Sequence, residues 1–194
     1  WARYTAHYIK AYEEEGIPIW GVTVQNEAKA EQGWESCHYE AGEERDFVTG
    51  YLKPVYEREG LGDKKIFFWD HNKERVVDRS LETLCSDRAR AAFDGIAVHW
   101  YSGDHFGALD VTHRLFPEKL LIASEQCKGR EELPWESGEA YAHDIIGDLN
   151  NWVGAWTDWN MLLDENGGPD HWLDEQLPWE RITAKRQELG MEIN

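Results

Sequence analysis

The chain has 194 residues, a length that favours one domain, or part of a larger one, over two full domains. Its formal net charge of −18 at pH 7 argues against nucleic acid or an anionic membrane surface as a partner, because both attract basic patches. No run approaches the roughly 18 consecutive apolar residues of a membrane span, and no signal-peptide pattern is visible. We therefore expect neither nucleic-acid binding nor a membrane span.

Aromatic residues are abundant, with 11 Trp, 8 Tyr and 6 Phe. Their faces suit sugar rings, although most such side chains pack in cores because each buries a large apolar area. Cys37, Cys85 and Cys127 lie far apart, without the spacing of a zinc site or a disulfide framework. Acidic runs such as 13–15 are more typical of a solvated surface than of metal ligands. We therefore predict no metal and no cofactor.

The N-terminal segment predicts a helix that leads into a buried strand. Trp1, Tyr8, Ile9 and Tyr12 recur at roughly helical spacing, and Gly16-Ile17-Pro18 ends the helix just before an apolar run. This pair is the first unit of an alternating pattern.

Apolar runs and helical patterns continue to alternate along the chain. Five strands are predicted, at 19–24, 65–69, 95–101, 120–124 and 153–159. Helices are predicted at about 47–56, with a kink at Pro54, at 75–93 and at 141–152. The alternation favours a parallel α/β sheet, and the absence of glycine-rich phosphate motifs argues against a nucleotide-binding fold. It does not separate an open doubly wound sheet from a closed barrel.

Every predicted strand ends in polar or aromatic residues. These are Asn26-Glu27, Asp70-His71-Asn72, His99-Trp100-Tyr101, Glu125 and Asp158-Trp159-Asn160. In a (β/α)8 barrel the carboxyl ends of the strands converge on one face and carry the active site. Two of the residues are glutamates, and glycoside hydrolysis with retention uses two carboxyl groups. The pattern therefore predicts an active site built around Glu27 and Glu125.

Six segments together resemble glycoside hydrolase family 30, specifically its glucosylceramidase-like branch. They are Val22-Thr23-Val24-Gln25-Asn26-Glu27, Trp34-Glu35-Ser36-Cys37, Trp69-Asp70-His71-Asn72-Lys73, Ala97-Val98-His99-Trp100-Tyr101, Ala123-Ser124-Glu125 and Trp156-Thr157-Asp158-Trp159-Asn160. The resemblance covers roughly residues 1–169, and residues 170–194 diverge from the family pattern. It implies that the whole chain, 1–194, is a partial TIM-barrel catalytic domain holding only barrel strands four to eight.

Carried over by position, the resemblance implies that Glu27 is the general acid/base and Glu125 the nucleophile. It implies substrate-binding roles for Asn26 at the 2-hydroxyl, Tyr101 beside the nucleophile, Trp159 in the sugar-binding wall, and Asn72, His99 and Asp158 as further lining residues. A structural role is equally open for His99, and a helix cap or supporting role is equally open for Asp158. The chain departs from the family at Ala28, where proline is usual.

The expected function is that of a retaining β-glucosidase acting on a glucosylceramide-type substrate, that is, a β-glucoside or glycolipid. Two alternatives remain: the same machinery acting on a β-1,6-glucan or a β-xyloside, or an inactive carbohydrate-binding fragment. The open edges of an incomplete barrel invite pairing with the missing part of the barrel or with a second copy. Relatives in this family are secreted or lysosomal, and the compartment of this chain is left open.

Overall fold

The structure is a computed structural model and describes residues 1–31, 36–128 and 134–159. Its strands are β1 (Gly21–Thr23), β2 (Lys65–Asn72), β3 (Gly95–His99), β4 (Leu120–Glu125) and β5 (Val153–Trp156). Its helices are α1 (Ala2–Glu14), α2 (Ala41–Phe47), α3 (Lys53–Arg58), α4 (Val76–Thr83), α5 (Asp87–Ala92), α6 (Phe106–Leu115) and α7 (Pro134–Asn150). None of the helices in these ranges is long and apolar enough to cross a membrane.

The five strands form one parallel sheet in the order β1-β2-β3-β4-β5. Strands adjacent in the chain are therefore adjacent in the sheet. A doubly wound sheet reverses its strand order at a switch point, whereas a (β/α)8 barrel keeps sequential order throughout. The prediction of a partial barrel with helices between successive strands is confirmed.

The centre of the sheet is buried on both faces. The consecutive residues Ile96, Ala97 and Val98, whose side chains alternate between the two faces, are each 0% exposed. Burial on both faces is typical of parallel strands covered by helices, and it explains why the strands read as continuous apolar runs. At Gly95, the first residue of β3, an added Cβ would collide with the carbonyl oxygen of Leu120 and the ring of Phe67. Only glycine allows β3 and β4 to approach this closely at their amino ends.

Helix α1 forms where it is predicted, but with a different buried face. Ala2, Ala6 and Ile9 are buried, whereas Tyr8 and Tyr12 are 43% and 41% exposed. The aromatic stripe therefore lies mostly outside the core of the described residues. Helical spacing alone identified the helix but not the face that packs.

One further helical prediction needs correction, and one helix was missed. The helix expected at 75–93 is interrupted after Thr83, and α5 restarts where the Ser86 hydroxyl caps the backbone N–H of Ala89 at 3.2 Å. Helix α6 was not predicted at all. Around Pro54 the chain stays helical, because a π-helical turn at Val48–Leu52 precedes the proline and absorbs the irregularity.

Candidate active site

The carboxyl ends of β1, β3 and β4 bring three titratable side chains together. Glu27 follows β1, His99 ends β3 and Glu125 ends β4. One carboxylate oxygen of each glutamate and one ring nitrogen of His99 all lie within 4.8 Å of one another. Residues separated by up to almost a hundred positions in the sequence thus meet at one end of the sheet.

Glu125 lies beside a tyrosine hydroxyl. Tyr101 donates a hydrogen bond to Oε1 of Glu125 at 3.0 Å, and its hydroxyl also lies 3.4 Å from Sγ of Cys127. Burial raises the pKa of Glu125, while the positive charge of His99 and the Tyr101 hydrogen bond act in the opposite direction. Partial burial raises the pKa of Tyr101, so its hydroxyl keeps the proton that it donates.

His99 connects Glu27 to a third carboxylate. Its ring is fully buried, with Nδ1 3.4 Å from Oε1 of Glu27 and Nε2 3.0 Å from Oδ1 of Asp70. Burial lowers the pKa of His99, but the hydrogen bonds to Asp70 and Glu27 outweigh it and raise the pKa to about 9. At neutral pH the ring is therefore an imidazolium that donates on both sides.

Asp70 joins this cluster although the sequence analysis assigns it no role. Its carboxylate accepts hydrogen bonds from Oγ1 of Thr23 at 2.5 Å and from Oγ of Ser124 at 2.6 Å, in addition to its contact with His99. The side chain is nearly buried, at 6% exposure for the residue. Asp70 stands in the polar strand end Asp70-His71-Asn72, and this position is the signal in the sequence that points to it.

Backbone irregularities explain how these side chains turn towards one another. The pairing of β2 with β3 shifts register between Trp69 and His71, so Asp70 is an extra, bulged residue. Trp69 and Asp70 have φ values of 77° and 44°, and Glu27 has a φ of 48°. Left-handed conformations of non-glycine residues cost about 1–3 kcal/mol each and concentrate at functional sites.

The bulge also holds the backbone of Glu27. The N–H of Glu27 donates to the carbonyl oxygen of Asp70 at 2.7 Å. Asp70 therefore supports Glu27 twice, directly at the backbone and through His99 at the side chain.

The other predicted residues lie at the ends of their strands. Asn72 ends β2 in register with His99, and Asn26 is exposed after β1. Asp158 accepts a hydrogen bond from the Tyr141 hydroxyl at 2.8 Å, and Trp159 is 46% exposed. Their roles in substrate binding stay predictions. Trp34, Glu35 and Asn160, which belong to the motifs, lie outside the described residues.

The three donors Glu27, His99 and Glu125 have the spacing of a possible cation site. Both ring nitrogens of His99, however, already contact carboxylates. A metal ion would have to displace Glu27 or Asp70 from the His99 ring. The hydrogen bonds between the ring nitrogens and the two carboxylates fit a site for proton transfer better than a metal site. The arrangement can supply one carboxyl for attack and another for proton transfer.

Known proteins match the chain over most of its length. Residues 1–178 match the glycosyl hydrolase family 30 TIM-barrel domain. The lysosomal acid glucosylceramidase of Mus musculus is 34% identical over 185 residues, which are 88% of this chain and 36% of the mouse protein.

Two solved structures give the same result. SrfJ from Salmonella typhimurium superposes with a TM-score of 0.84 at 34% identity, covering 89% of this chain and 39% of SrfJ. The endo-β1,6-glucanase BT3312 superposes with a TM-score of 0.76 at 31% identity, covering 87% of this chain and 39% of the glucanase. The chain thus spans between a third and two-fifths of these relatives' lengths, and it belongs to glycosyl hydrolase family 30.

Proposed function

We propose that this chain is the catalytic part of a retaining β-glucosidase that acts on a glucosylceramide-type substrate by double displacement. The observation that carries the proposal is the approach of one oxygen of Glu27 to one oxygen of Glu125, within 4.8 Å. Carboxyl groups of retaining enzymes are about 5–5.5 Å apart, whereas inverting enzymes separate theirs by about 6.5–9.5 Å to admit a water molecule. A distance between nearest oxygens of no more than 4.8 Å lies nearer to the first of these ranges, which supports retention.

In the first step Glu125 attacks the anomeric carbon. The bond from that carbon to the leaving oxygen breaks, and Glu27 donates its proton to that oxygen. The products are the released alcohol and a glycosyl ester on Glu125. The Tyr101 hydroxyl, 3.0 Å from Oε1 of Glu125, holds the attacking carboxylate in place.

In the second step water attacks the anomeric carbon and Glu27 accepts the proton of that water. The ester bond breaks, which releases the sugar and restores the Glu125 carboxylate. Esterification has meanwhile removed the negative charge of Glu125, so the repulsion between the two carboxylates is absent while Glu27 acts as a base. His99 orients the Glu27 carboxyl through Nδ1 in both steps.

The substrate class is supported by likeness to named relatives. The mouse protein named lysosomal acid glucosylceramidase supports a β-glucoside with a lipid aglycone. The likeness to an endo-β1,6-glucanase, at 31% identity, supports a β-1,6-glucan as the second candidate with the same two glutamates. We assign sugar contacts to Asn26, Asn72, Asp158 and Trp159 in either case.

The remaining strands of the barrel are part of this proposal. Within the described residues β1 and β5 each pair with one strand, whereas every strand of a closed barrel pairs with two. We assign these two edges to the other part of the barrel or to a second copy of the chain, with residues 1–194 as a partial catalytic domain.

The test is covalent trapping with 2,4-dinitrophenyl 2-deoxy-2-fluoro-β-glucoside, followed by peptide mass spectrometry of the 194-residue chain. We expect a fluoroglucosyl adduct on Glu125 in the wild-type chain and none in the matched Glu125→Gln variant. A folded wild-type chain that stays unlabelled at Glu125 would overturn the proposal and favour an inactive carbohydrate-binding role. Parallel hydrolysis assays on glucosylceramide and on β-1,6-glucan decide between the two substrates.

A further inference from the structure

A buried ion pair lies directly behind the strained bulge at Trp69 and Asp70. Glu44, on α2, is 0% exposed, and Arg79, on α4, is 5% exposed. Oε1 of Glu44 accepts the backbone N–H of Trp69 at 3.2 Å, and Oε2 accepts Nη2 of Arg79 at 2.7 Å. One carboxylate thus joins two helices to the bulge.

Arg79 also contacts Trp69, through the indole ring. Its guanidinium lies over the ring of Trp69, 5.3 Å from the ring centroid, and Nη2 also donates to the carbonyl oxygen of Tyr39 at 3.0 Å. The backbone N–H and the indole ring of Trp69 are therefore both held by the Glu44 and Arg79 pair. This leaves the next residue, Asp70, with little freedom.

The ion pair is poorly explained by stability alone. Buried pairs must give up hydration on both charges, and apolar replacements of similar volume are often equally stable or more stable. Burial raises the pKa of Glu44, while the charge and the hydrogen bond of Arg79 act in the opposite direction. A specific geometric role accounts better for a charged acceptor at this position.

The role follows from what the bulge supports. The carbonyl oxygen of Asp70 accepts the N–H of Glu27 at 2.7 Å, and the Asp70 carboxylate contacts His99, which contacts Glu27. A change in the φ of Trp69 or Asp70 would move both supports of Glu27 together. The hydrogen bond from Tyr101 to Glu125 does not involve the bulge, and the contact of Asp70 on this strand is with the Ser124 hydroxyl and not with the Glu125 carboxylate.

We propose that Glu44 is a positioning residue for the acid/base Glu27: it accepts the Trp69 N–H and so fixes the bulge on which Asp70 and Glu27 depend. Arg79 neutralises Glu44 and holds the Trp69 ring. The inference rests on the proposed function for its kinetic consequence and on the geometry alone for its structural one.

The test compares two double variants that differ only in the acceptor at position 44. Glu44→Gln with Arg79→Met removes both charges but keeps an amide oxygen for the Trp69 N–H. Glu44→Leu with Arg79→Met removes the charges and the acceptor. Neither variant leaves a buried unpaired charge, so both are expected to fold, and circular dichroism verifies this.

Two readouts are measured on the pair. The first readout compares two rates. One is kcat/KM on an alkyl β-glucoside, whose poor leaving group needs a proton from Glu27. The other is the trapping rate with the dinitrophenyl fluoroglucoside, whose leaving group departs without a proton. The Leu variant should lose about 10- to 100-fold on the alkyl glucoside relative to the Gln variant, with trapping equal to within about twofold. The second is the titration of His99 by NMR, which should shift to lower pH in the Leu variant because its contact with Asp70 loosens.

The outcomes separate the two proposals. The positioning role of Glu44 would be overturned if the two variants showed the same ratio of alkyl glucoside hydrolysis to trapping and the same titration of His99. Glu44 and Arg79 would then only pack between the helices. Lack of trapping in the wild-type chain would overturn the proposed function, while the His99 titration would still decide whether Glu44 fixes the bulge.

Discussion

Two clusters of buried charge differ in how they face solvent. The first, the proposed catalytic cluster, contains Glu27, His99, Glu125 and Asp70 at the strand ends. The second, the helix cluster, contains Lys73, just after β2, and Asp144 and Asp148 on α7. Nζ of Lys73 lies 2.5 Å from Asp144 and 2.9 Å from Asp148, and these side chains are 0%, 6% and 0% exposed. Glu125, in contrast, is only partly buried, and its partner Tyr101 is 43% exposed.

The comparison shows what distinguishes a reactive cluster from a structural one. In the helix cluster every side chain is enclosed, and Oδ2 of Asp144 is further engaged by the indole N–H of Trp156 at 3.2 Å. In the proposed catalytic cluster, Glu125 accepts a hydrogen bond from Tyr101 and is still partly exposed to solvent. Removal of a residue should therefore reduce the reaction rate in the proposed catalytic cluster and the stability of the fold in the helix cluster.

The largest effect is expected at Glu125, the proposed nucleophile. Glu125→Gly should lower glucoside hydrolysis by about 10⁴- to 10⁶-fold, because removal of a nucleophile leaves only binding and polarisation. Added azide should restore turnover of a dinitrophenyl glucoside and give the α-glucosyl azide, detected by NMR. A β-glucosyl azide from this variant would assign the nucleophile elsewhere.

Replacement of the acid/base should have a smaller and more selective effect. Glu27→Gln should lower kcat/KM by about 100- to 10,000-fold on an alkyl glucoside, because general acid catalysis is lost. The loss should be much smaller on a dinitrophenyl glucoside, whose leaving group departs without protonation. Equal losses on both substrates would contradict the acid role of Glu27.

In the helix cluster the same kind of change should reduce stability. Lys73→Met leaves Asp144 and Asp148 buried without their cation and should lower the free energy of unfolding by about 3–5 kcal/mol. The control is the triple variant with Asp144→Asn and Asp148→Asn, which should recover most of the loss because no charge remains unpaired. Urea denaturation measures the free energy of unfolding of the single and the triple variant. An unchanged value for the single variant would show that the ion pairs of Lys73 contribute nothing to stability.

The smallest expected effect is a pH dependence of stability that comes from His99. Because the pKa of His99 is raised from 6.5 to about 9, the folded state binds the proton more tightly than the unfolded state. This stabilisation is complete below pH 6.5 and is lost as the pH rises through about 9. We expect His99→Gln to show a flatter fall in thermal stability than the wild type across this window, and parallel curves would contradict the charged state of His99.

The five strands, and the position of two glutamates at their carboxyl ends, were predictable because burial leaves a pattern in the sequence. Strands covered on both faces read as apolar runs, as in residues 65–69 and 95–98, and polar residues begin where each strand leaves the core. Glu27 and Glu125 follow such runs directly. The convergence of strand ends in a sequential parallel sheet then brings them together.

The supporting residues were not predictable, because their contacts join residues that are far apart in the sequence. Lys73 and Asp148 are 75 positions apart, and Glu44 and Arg79 are 35 apart on different helices. The bulge at Asp70 breaks the alternation on which strand reading depends, so the direction of that side chain could not be inferred from its position. Acidic and basic residues also occur on every exposed surface, which hides the few that are buried.

The close approach at Gly95 determines more than local packing. β3 runs from Gly95 to His99, and its neighbour β4 runs from Leu120 to Glu125, so the tight contact and two residues of the proposed site lie at opposite ends of the same pair of strands. A side chain at position 95 would meet the Leu120 carbonyl oxygen and the Phe67 ring, so a strand end that touches no sugar still has its residue type restricted. The proposed site thus sits on a pair of strands whose far end tolerates glycine alone.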